Sequence, residues 1–354
     1  MPPPSLVEVL SELPPATASF AYGSAVFSQR GYTAAEQQRA MLDLILVVED
    51  AAAWHQRNLE RNAAHYSAIG WAAGARGVAA LQEHFGAGMY YNHAHVRGRL
   101  IKYGLITRAA LIDDLEHWRS LYASGRMHKP VQPLQEVPTD LMHAMHSNLR
   151  SAVRASLLLL PSRFDDAELY SHICGLSYSG DVRMGVGESL LKPLDIADGQ
   201  RAALAGLYAQ SLAGEATLTP CVGNALTQDV SLAARQQTLS LLPSNVQRGL
   251  LQELAPSAGA TLSSVRDSTV GVVGGDLHEV VHRLWRTAAS DVDANLQLRS
   301  SLRCALARIV RRSSLAQTVK GIATAGASTS IAYAVAKMRR RSLKDAHANS
   351  ERTA

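Results

Sequence analysis

Apolar and polar positions along the chain fall into two regimes. Up to about residue 135, short apolar runs bounded by glycine and polar turns alternate with helical stretches; beyond it a helical period dominates. Phe20–Phe27 reads as a strand that ends in Gly23-Ser24. Leu42–Val48 is a nearly continuous apolar run broken only by Asp43, the pattern of a strand buried on both faces. Between them, residues 33–41 carry a short helix start with a capping-box pattern. Glu49-Asp50 close the second run, and Trp54-His55 open a helix through Arg61. Residues 68–83 read as an Ala- and Gly-rich helix. Phe85–Asn92 is a second glycine-containing strand entry, Arg99–Ile106 an alternating strand carrying Lys102, and 109–122 a helix with Asp113-Asp114 in its first turns. Ser124–Val131 is a basic loop leading into a further strand, and residues 5–13 form a short amphipathic helix stopped by Pro14-Pro15.

From about residue 138 the pattern turns helical, with helices over 139–159 and 165–175 that run into the glycine-broken segment Gly175–Arg183. Residues 186–300 hold scattered helical patterns rich in Ala, Leu and Ser, without a chemical signal or an internal repeat. The expected organisation is α+β, with domains at 1–137 and 138–312 and a basic tail at 313–354. In that tail Leu315, Val319, Ile322, Ile331, Val335 and Met338 share one helical face, although Gly321 and Gly326 weaken the helix.

At 354 residues and 47% hydrophobic, the chain can bury a substantial core. Cys174, Cys221 and Cys304 are odd in number and far apart, which argues against a disulfide framework. His93/His95 and His143/His146 lack the second ligand pair that a structural zinc needs. No run of eighteen strongly apolar residues supports a membrane span, and Met1–Ser5 matches neither a secretory nor an Arg-rich organellar leader. Net charge is +5, but ten basic residues and no carboxylate lie between Arg303 and Lys344; without those ten, 25 Lys and Arg face 30 Asp and Glu, a net −5. Basicity confined to one end points to a specific anionic partner there. A helix with one apolar face and only basic charge suits an anionic membrane. An RNA-binding or plainly solvated tail are the alternatives; Tyr333 is the one aromatic available for stacking, so no nucleic-acid partner is expected.

Gly23-Ser24 followed by Asp43 has the layout of a nucleotidyltransferase site. A glycine lets the backbone approach a triphosphate, neighbouring N–H and hydroxyl groups bond its oxygens, and a carboxylate on the next strand holds Mg²⁺. Each element alone also fits a plain turn and an edge carboxylate. The usual second carboxylate, two residues after the first, is replaced by Ile45. Lys102 in a strand signals a nearby anion, or else an edge residue facing solvent.

Several blocks in fixed order resemble the mitochondrial translocator assembly and maintenance family, the mitochondrial-type phosphatidate cytidylyltransferases. They are Phe20–Ser24, Leu42–Ile45, Trp54-His55 through Ser67, Gly86–Asn92, Leu100–Gly104, Gly125-Arg126 with Lys129–Val131, Leu176–Arg183, and Gln317–Gly321 with Thr324–Gly326. The resemblance implies a nucleotidyltransferase domain, a helical winged-helix-like domain and a C-terminal amphipathic helix. It also implies synthesis of CDP-diacylglycerol from CTP and phosphatidic acid with Mg²⁺, feeding cardiolipin at the matrix face of the inner mitochondrial membrane; that family too lacks the second strand carboxylate. On this reading Gly23 and Ser24 take the triphosphate, Asp43 takes Mg²⁺, and Lys102 takes a phosphate of CTP or lipid. Asp181 is the leading second metal carboxylate, with Asp114 competing, and Arg183 is a nucleotide phosphate ligand. A helix cap with a surface salt bridge is the other reading of Asp181 and Arg183. Arg126 and Lys129 are expected at the lipid headgroup, and Lys320, Lys337, Arg339, Arg340 and Arg341 at the membrane. Trp54 and His55 read as packing residues. A soluble nucleotidyltransferase acting on RNA, protein or a small molecule, and a non-enzymatic assembly factor, are the competing functions.

Overall fold

A computed structural model of the chain describes residues 5–27, 37, 40–185, 188–221, 223–256 and 273–325. Most of the expected helix over 33–41 and the basic residues Lys337, Arg339, Arg340 and Arg341 lie outside them.

The first part is a five-stranded mixed sheet in the order β3-β4-β2-β1-β5. It is built from β1 (Ala18–Tyr22), β2 (Leu42–Val48), β3 (Tyr90–Val96), β4 (Arg99–Thr107) and the short β5 (Gln132–Pro133). β2 pairs antiparallel with β1 and parallel with β4, so the uninterrupted apolar run of β2 occupies the sheet centre. The parallel step from β2 to β4 is bridged by α2 (Ala51–Asn62), α3 (Ala68–His84) and the edge strand β3. Arg97 and Gly98, both with positive φ, make the tight turn that folds β3 antiparallel onto β4. α1 (Leu6–Ser11) is capped by a reciprocal Ser5–Glu8 box.

Period-two alternation sorts the strands into two faces. On one face Leu42, Leu44, Leu46, Ile101, Tyr103 and Leu105 pack against α2 and α3 through Trp54 and Ala79. On the other Phe20, Ile45, Val47, Met89 and Ile106 meet α4 (Arg108–His117) through Leu111 and Leu115. Ile45, at the position of the missing second carboxylate, is fully buried in this second core opposite Phe20 and Gly104.

Beneath the first face lies a buried polar chain. Asn58 donates to the hydroxyls of Tyr66 and Tyr103, and Asn92 donates to Tyr103. With two amides already donating to it, the Tyr103 hydroxyl gives its proton to His65 Nδ1; Tyr66 likewise gives its proton to His55 Nδ1, whose Nε2–H reaches Gln82. His55 is thus a neutral packing residue, as is Trp54, whose indole N–H bonds Pro14 O.

The second part packs around α5 (Thr139–Leu159), with α6 (Asp166–Gly175), α7 (Lys192–Gly199), α8 (Arg201–Ala213), α9 (Leu232–Ser240), α10 (Ser244–Leu254), α11 (Val273–Thr287) and α12 (Asp291–Ala325). A small sheet in the order β6-β8-β7 adds β6 (Arg163–Asp165), β7 (Leu218–Pro220) and β8 (Ala225–Gln228). The last two fall where the sequence showed only helical patterns, because three- and four-residue strands carry too few alternations to read. Among the described residues no helix is long and apolar enough to cross a membrane.

α12 runs through the expected boundary at 312/313 and returns to the first part. Ser313 Oγ bonds Ser120 O at 2.8 Å, and Gln317 bonds both Ala87 N (3.3 Å) and Met89 O (3.0 Å). Lys320 is 2% exposed and donates to Phe85 O and Gln82 O at the end of α3. Its expected place at the membrane is therefore corrected: it lies on the inner face of α12, where carbonyls at a helix C-terminus welcome a cation. Leu315, Val319 and Ile322 share the opposite, half-exposed face with the exposed Arg311 and Arg312.

Burial holds His55 down at about 4 and His128 at about 3, and depresses His65. Between pH 6.5 and 4 the unfolded chain binds more protons than the folded one, so stability is lost as pH falls through that window. For His55 alone the loss by pH 4 is about 3 kcal/mol. Urea melts from pH 7.5 to 4.5 should show a falling midpoint, less steep in His55→Gln.

Candidate active site

The pairing register places Tyr22 of β1, Asp43 of β2, Lys102 of β4 and His93 of β3 in one row across four strands. Directly paired residues point to the same face, so the row shares the side of Phe20, Ile45 and Met89. Gly23 ends β1 at φ 81°, and its carbonyl accepts from Val26 N (3.1 Å) and Phe27 N (3.0 Å) in a tight turn beside Ser24. A Cβ on Gly23 would stand 3.0 Å from Asp43 Oδ2, so the carboxylate lies against the turn and glycine is required on both counts.

Next to the row are two aromatic hydroxyls, those of Tyr91 and Tyr122, and two further cations. Lys102 Nζ sits 4.6 Å from the centre of the Tyr91 ring, and the Arg126 guanidinium stacks 3.8 Å over Tyr122. Arg126 lies 5.8 Å from Tyr91, and Arg183 5.9 Å from Tyr122. Burial pulls Lys102 below its usual lysine value; Asp43 works to restore it, while Arg126 and Arg183 push it further down. Burial would raise the Tyr122 phenol, but Arg126, Arg183 and Lys102 together bring it below its usual value. Burial and the nearby Lys102 lower His93 to about 4, which keeps it neutral. Lys102, expected either near an anion or at a solvent edge, is on an inner strand among groups that favour an anion.

Asp114 determines where Arg126 can be. Its Oδ1 accepts from Ser120 N, Ser120 Oγ and Leu121 N, and its Oδ2 from Ala123 N, Ser124 N and Ser124 Oγ, at 2.7 to 3.1 Å. With three donors on each oxygen, Asp114 is closed to a metal and is removed as the competing carboxylate. It also stops α4 at His117 rather than the expected Tyr122: Trp118 and Leu121 take left-handed conformations so that the loop wraps the carboxylate. Asn148 of α5 ties the same loop from outside through Trp118, His128 and Ser124.

Asp181 is buried and held by Arg183: Oδ1 accepts from Arg183 N (2.9 Å) and Nε (3.0 Å), Oδ2 from Nη2 (2.6 Å). The salt bridge of the alternative reading is formed, but with its carboxylate buried and its guanidinium only 35% exposed. Gly125 and Gly180 allow this approach, since a Cβ would stand 2.3 Å from Ser177 Cβ and 2.5 Å from Ala307 O respectively. Lys129 donates to Gly125 O and Ser177 Oγ, both at 2.6 Å, and so ties the loop to the segment carrying Arg183.

Among the described residues no three His, Cys, Asp or Glu side chains cluster to hold a metal. Asp43 beside the Gly23 turn nevertheless fits Mg²⁺, which keeps several waters and binds through one or two carboxylates plus substrate phosphates. The structure thus brings together Gly23, Asp43, Lys102, Arg126 and Arg183, with Asp181 behind the last. It adds Tyr22, Tyr91 and Tyr122, which sequence reading passed over, and His93, which it weighed only as a zinc ligand. Tyr22 and Tyr91 lay within quoted blocks, but only the strand register aligns them.

A model of the family described as "Phosphatidate cytidylyltransferase, mitochondrial" matches residues 6–340. A Xenopus laevis protein of that name is 36% identical over 323 residues, covering 90% of this chain and 89% of its own. A Bos taurus one is 37% identical over 335 residues (94% and 92%), and a Caenorhabditis elegans one 35% over 334 (94% and 96%).

Asp114→Ala should cost about 3–5 kcal/mol, because it strands buried donors that had a charged acceptor. The loss will appear as a lower urea midpoint with an unchanged slope. Gly104→Ala places a Cβ 2.5 Å from the Tyr91 ring and 2.8 Å from Met89 Cε, so Tyr91 must leave Lys102. Nucleotide affinity, measured by calorimetry, should fall at least tenfold.

Proposed function

The chain belongs to the family of mitochondrial phosphatidate cytidylyltransferases, and from that premise we propose that it transfers the cytidylyl group of CTP to the phosphate of phosphatidic acid, giving CDP-diacylglycerol and pyrophosphate. The observation that carries the chemistry is the Asp43–Lys102 pair beside the Gly23 turn, with Arg126 and Arg183 converging on it.

The first part acts as a nucleotidyltransferase domain and the second as a winged-helix-like one. The Gly23-Ser24 turn and Lys102 hold the triphosphate, and Arg183 takes a further nucleotide phosphate. Asp43 would hold Mg²⁺, which supplies charge neutralisation at the phosphates. Asp181, expected as a second metal carboxylate, instead holds the Arg183 guanidinium in place. Arg126 receives the lipid phosphate, and Lys129 positions Arg126 by tying down its loop.

Phosphatidate attacks the α-phosphorus with an oxygen already anionic near neutral pH, its second pKa being about 6 like other phosphomonoesters. No strong base is needed; a P–O bond forms to the lipid phosphate as the bond to pyrophosphate breaks. Because nucleophile and electrophile are both anions, the chain's main task is to bring them together by balancing charge. We place the chain peripherally at the matrix side of the inner membrane; the relatives' mitochondrial names support the compartment, and the outer face of α12, where Arg311 and Arg312 adjoin Leu315, Val319 and Ile322, supports a membrane contact.

With labelled CTP, Mg²⁺ and phosphatidate vesicles, Asp43→Asn should lower kcat at least a thousandfold and Lys102→Ala about a hundredfold. Turnover by Asp43→Asn equal to the parent would remove the mechanism, and acceptance of CTP with no need for lipid would favour a soluble nucleotidyltransferase.

A further inference from the structure

The start of α3 is an apolar surface that the reaction site does not use. Ala68, Ile69, Trp71, Ala72 and Ala73 are exposed, Ile69 at 64% and Trp71 at 65%, whereas Trp54 and Trp118 are buried and Trp285 is partly buried. A contiguous exposed apolar patch led by a tryptophan marks an interaction site. Gly74, at φ 64°, breaks the helix directly after this turn and sets it off from the rest of α3. The turn has a firm base, because Gly70 is buried against strand β3: a Cβ there would stand 2.8 Å from the Tyr90 hydroxyl.

Charge narrows the choice of partner. No Asp or Glu occurs between Glu60 and Glu83, while Arg76 is exposed two residues past the break. The turn therefore combines tryptophan, an aliphatic side chain and positive charge without a carboxylate, which is the composition that settles at the headgroup level of an anionic bilayer. The outer face of α12 has the same make-up, and the two are anchored at adjacent residues. Gly70 sits on Tyr90, and Gln317 bonds Met89 O. β3 is the edge of the sheet, and its next residue, Tyr91, touches Lys102.

We infer that the Ala68–Ala73 turn, led by Ile69 and Trp71, is a second membrane-docking surface that inserts into an anionic bilayer beside the α12 face. The inference rests on phosphatidate being the substrate. Two separate footholds at the start of β3 would fix the tilt of the enzyme and bring the sheet edge to the lipid phosphates.

The test compares full-length protein with Ile69→Ser/Trp71→Ser and Trp71→Phe. Sedimentation with phosphatidylcholine vesicles containing phosphatidate should show at least tenfold weaker partitioning for the double variant and near-parental partitioning for Trp71→Phe. The double variant should have a raised KM for vesicle phosphatidate, unchanged kcat, and unchanged kinetics on short-chain, water-dispersed phosphatidate. Parental partitioning of the double variant overturns the inference. So does an equal loss on both substrates, which would mean a structural role. A fall in native mass in the double variant would assign the turn to a second copy of this chain and overturn it as well. Increased acrylamide quenching of Trp71 on removal of residues 326–354 would assign it to the chain's own C-terminus, with the same consequence. Failure of the parent on both vesicle and short-chain phosphatidate would instead sink the phosphatidate reading itself.

Discussion

Mutual repulsion among half-buried cations is the constraint to which the structure answers. Arg126 and Arg183 push Lys102 below its usual lysine value and Arg126 opposes Arg183, while Tyr122 and Asp181 keep the two guanidinium groups charged in a half-buried space. Such a group does not assemble for its own stability, since desolvation already works against each member. It persists because Asp43 and Asp181 supply opposite charge, the rings of Tyr91 and Tyr122 present negative faces, and the surrounding backbone leaves the cations little room to separate. A bound polyanion would relieve the repulsion, so stability withheld from the empty protein becomes available for binding.

Holding the cations in place falls to groups outside the site. Asp114 pins the loop that carries Tyr122 and Arg126, Asn148 secures it to the second core, and Lys129 joins it to the segment of Arg183. The three anchors reach from α4, α5 and the loop itself: Asp114 wraps the residues just after it, whereas Asn148 and Lys129 reach across to distant segments. Shifting one would move a guanidinium, and the ring beneath it, by the short distances that decide whether charges on transferring phosphates are met.

α12 joins the two parts of the molecule at the entrance to β3. Gln317 satisfies the backbone on both sides of Gly88, and Lys320 closes the carbonyl end of α3. The same helix turns Leu315, Val319 and Ile322 outward. One element therefore stabilises the strand bearing Tyr91 while offering its opposite face to a surface, a division of labour that follows from the 3.6-residue period.

The sequence by itself determined the central strand, the Gly23 turn and the Asp43 carboxylate, because burial on both faces and a glycine at positive φ leave local marks. It also determined the family, since many short blocks stand in one order. It could not align Tyr22 and His93 with Asp43 and Lys102, because strand register is a pairing between separate segments, Asp43 and Lys102 among them, that lie far apart in sequence. Nor could it tell Asp114 from a metal ligand: the carboxylate's partners lie along a loop whose left-handed residues, Trp118 and Leu121, no local rule anticipates. The fate of Lys320 was likewise settled only by packing. A lysine on an amphipathic helix reads as surface charge until carbonyls from another element reach it, and only the tertiary structure could bring them there.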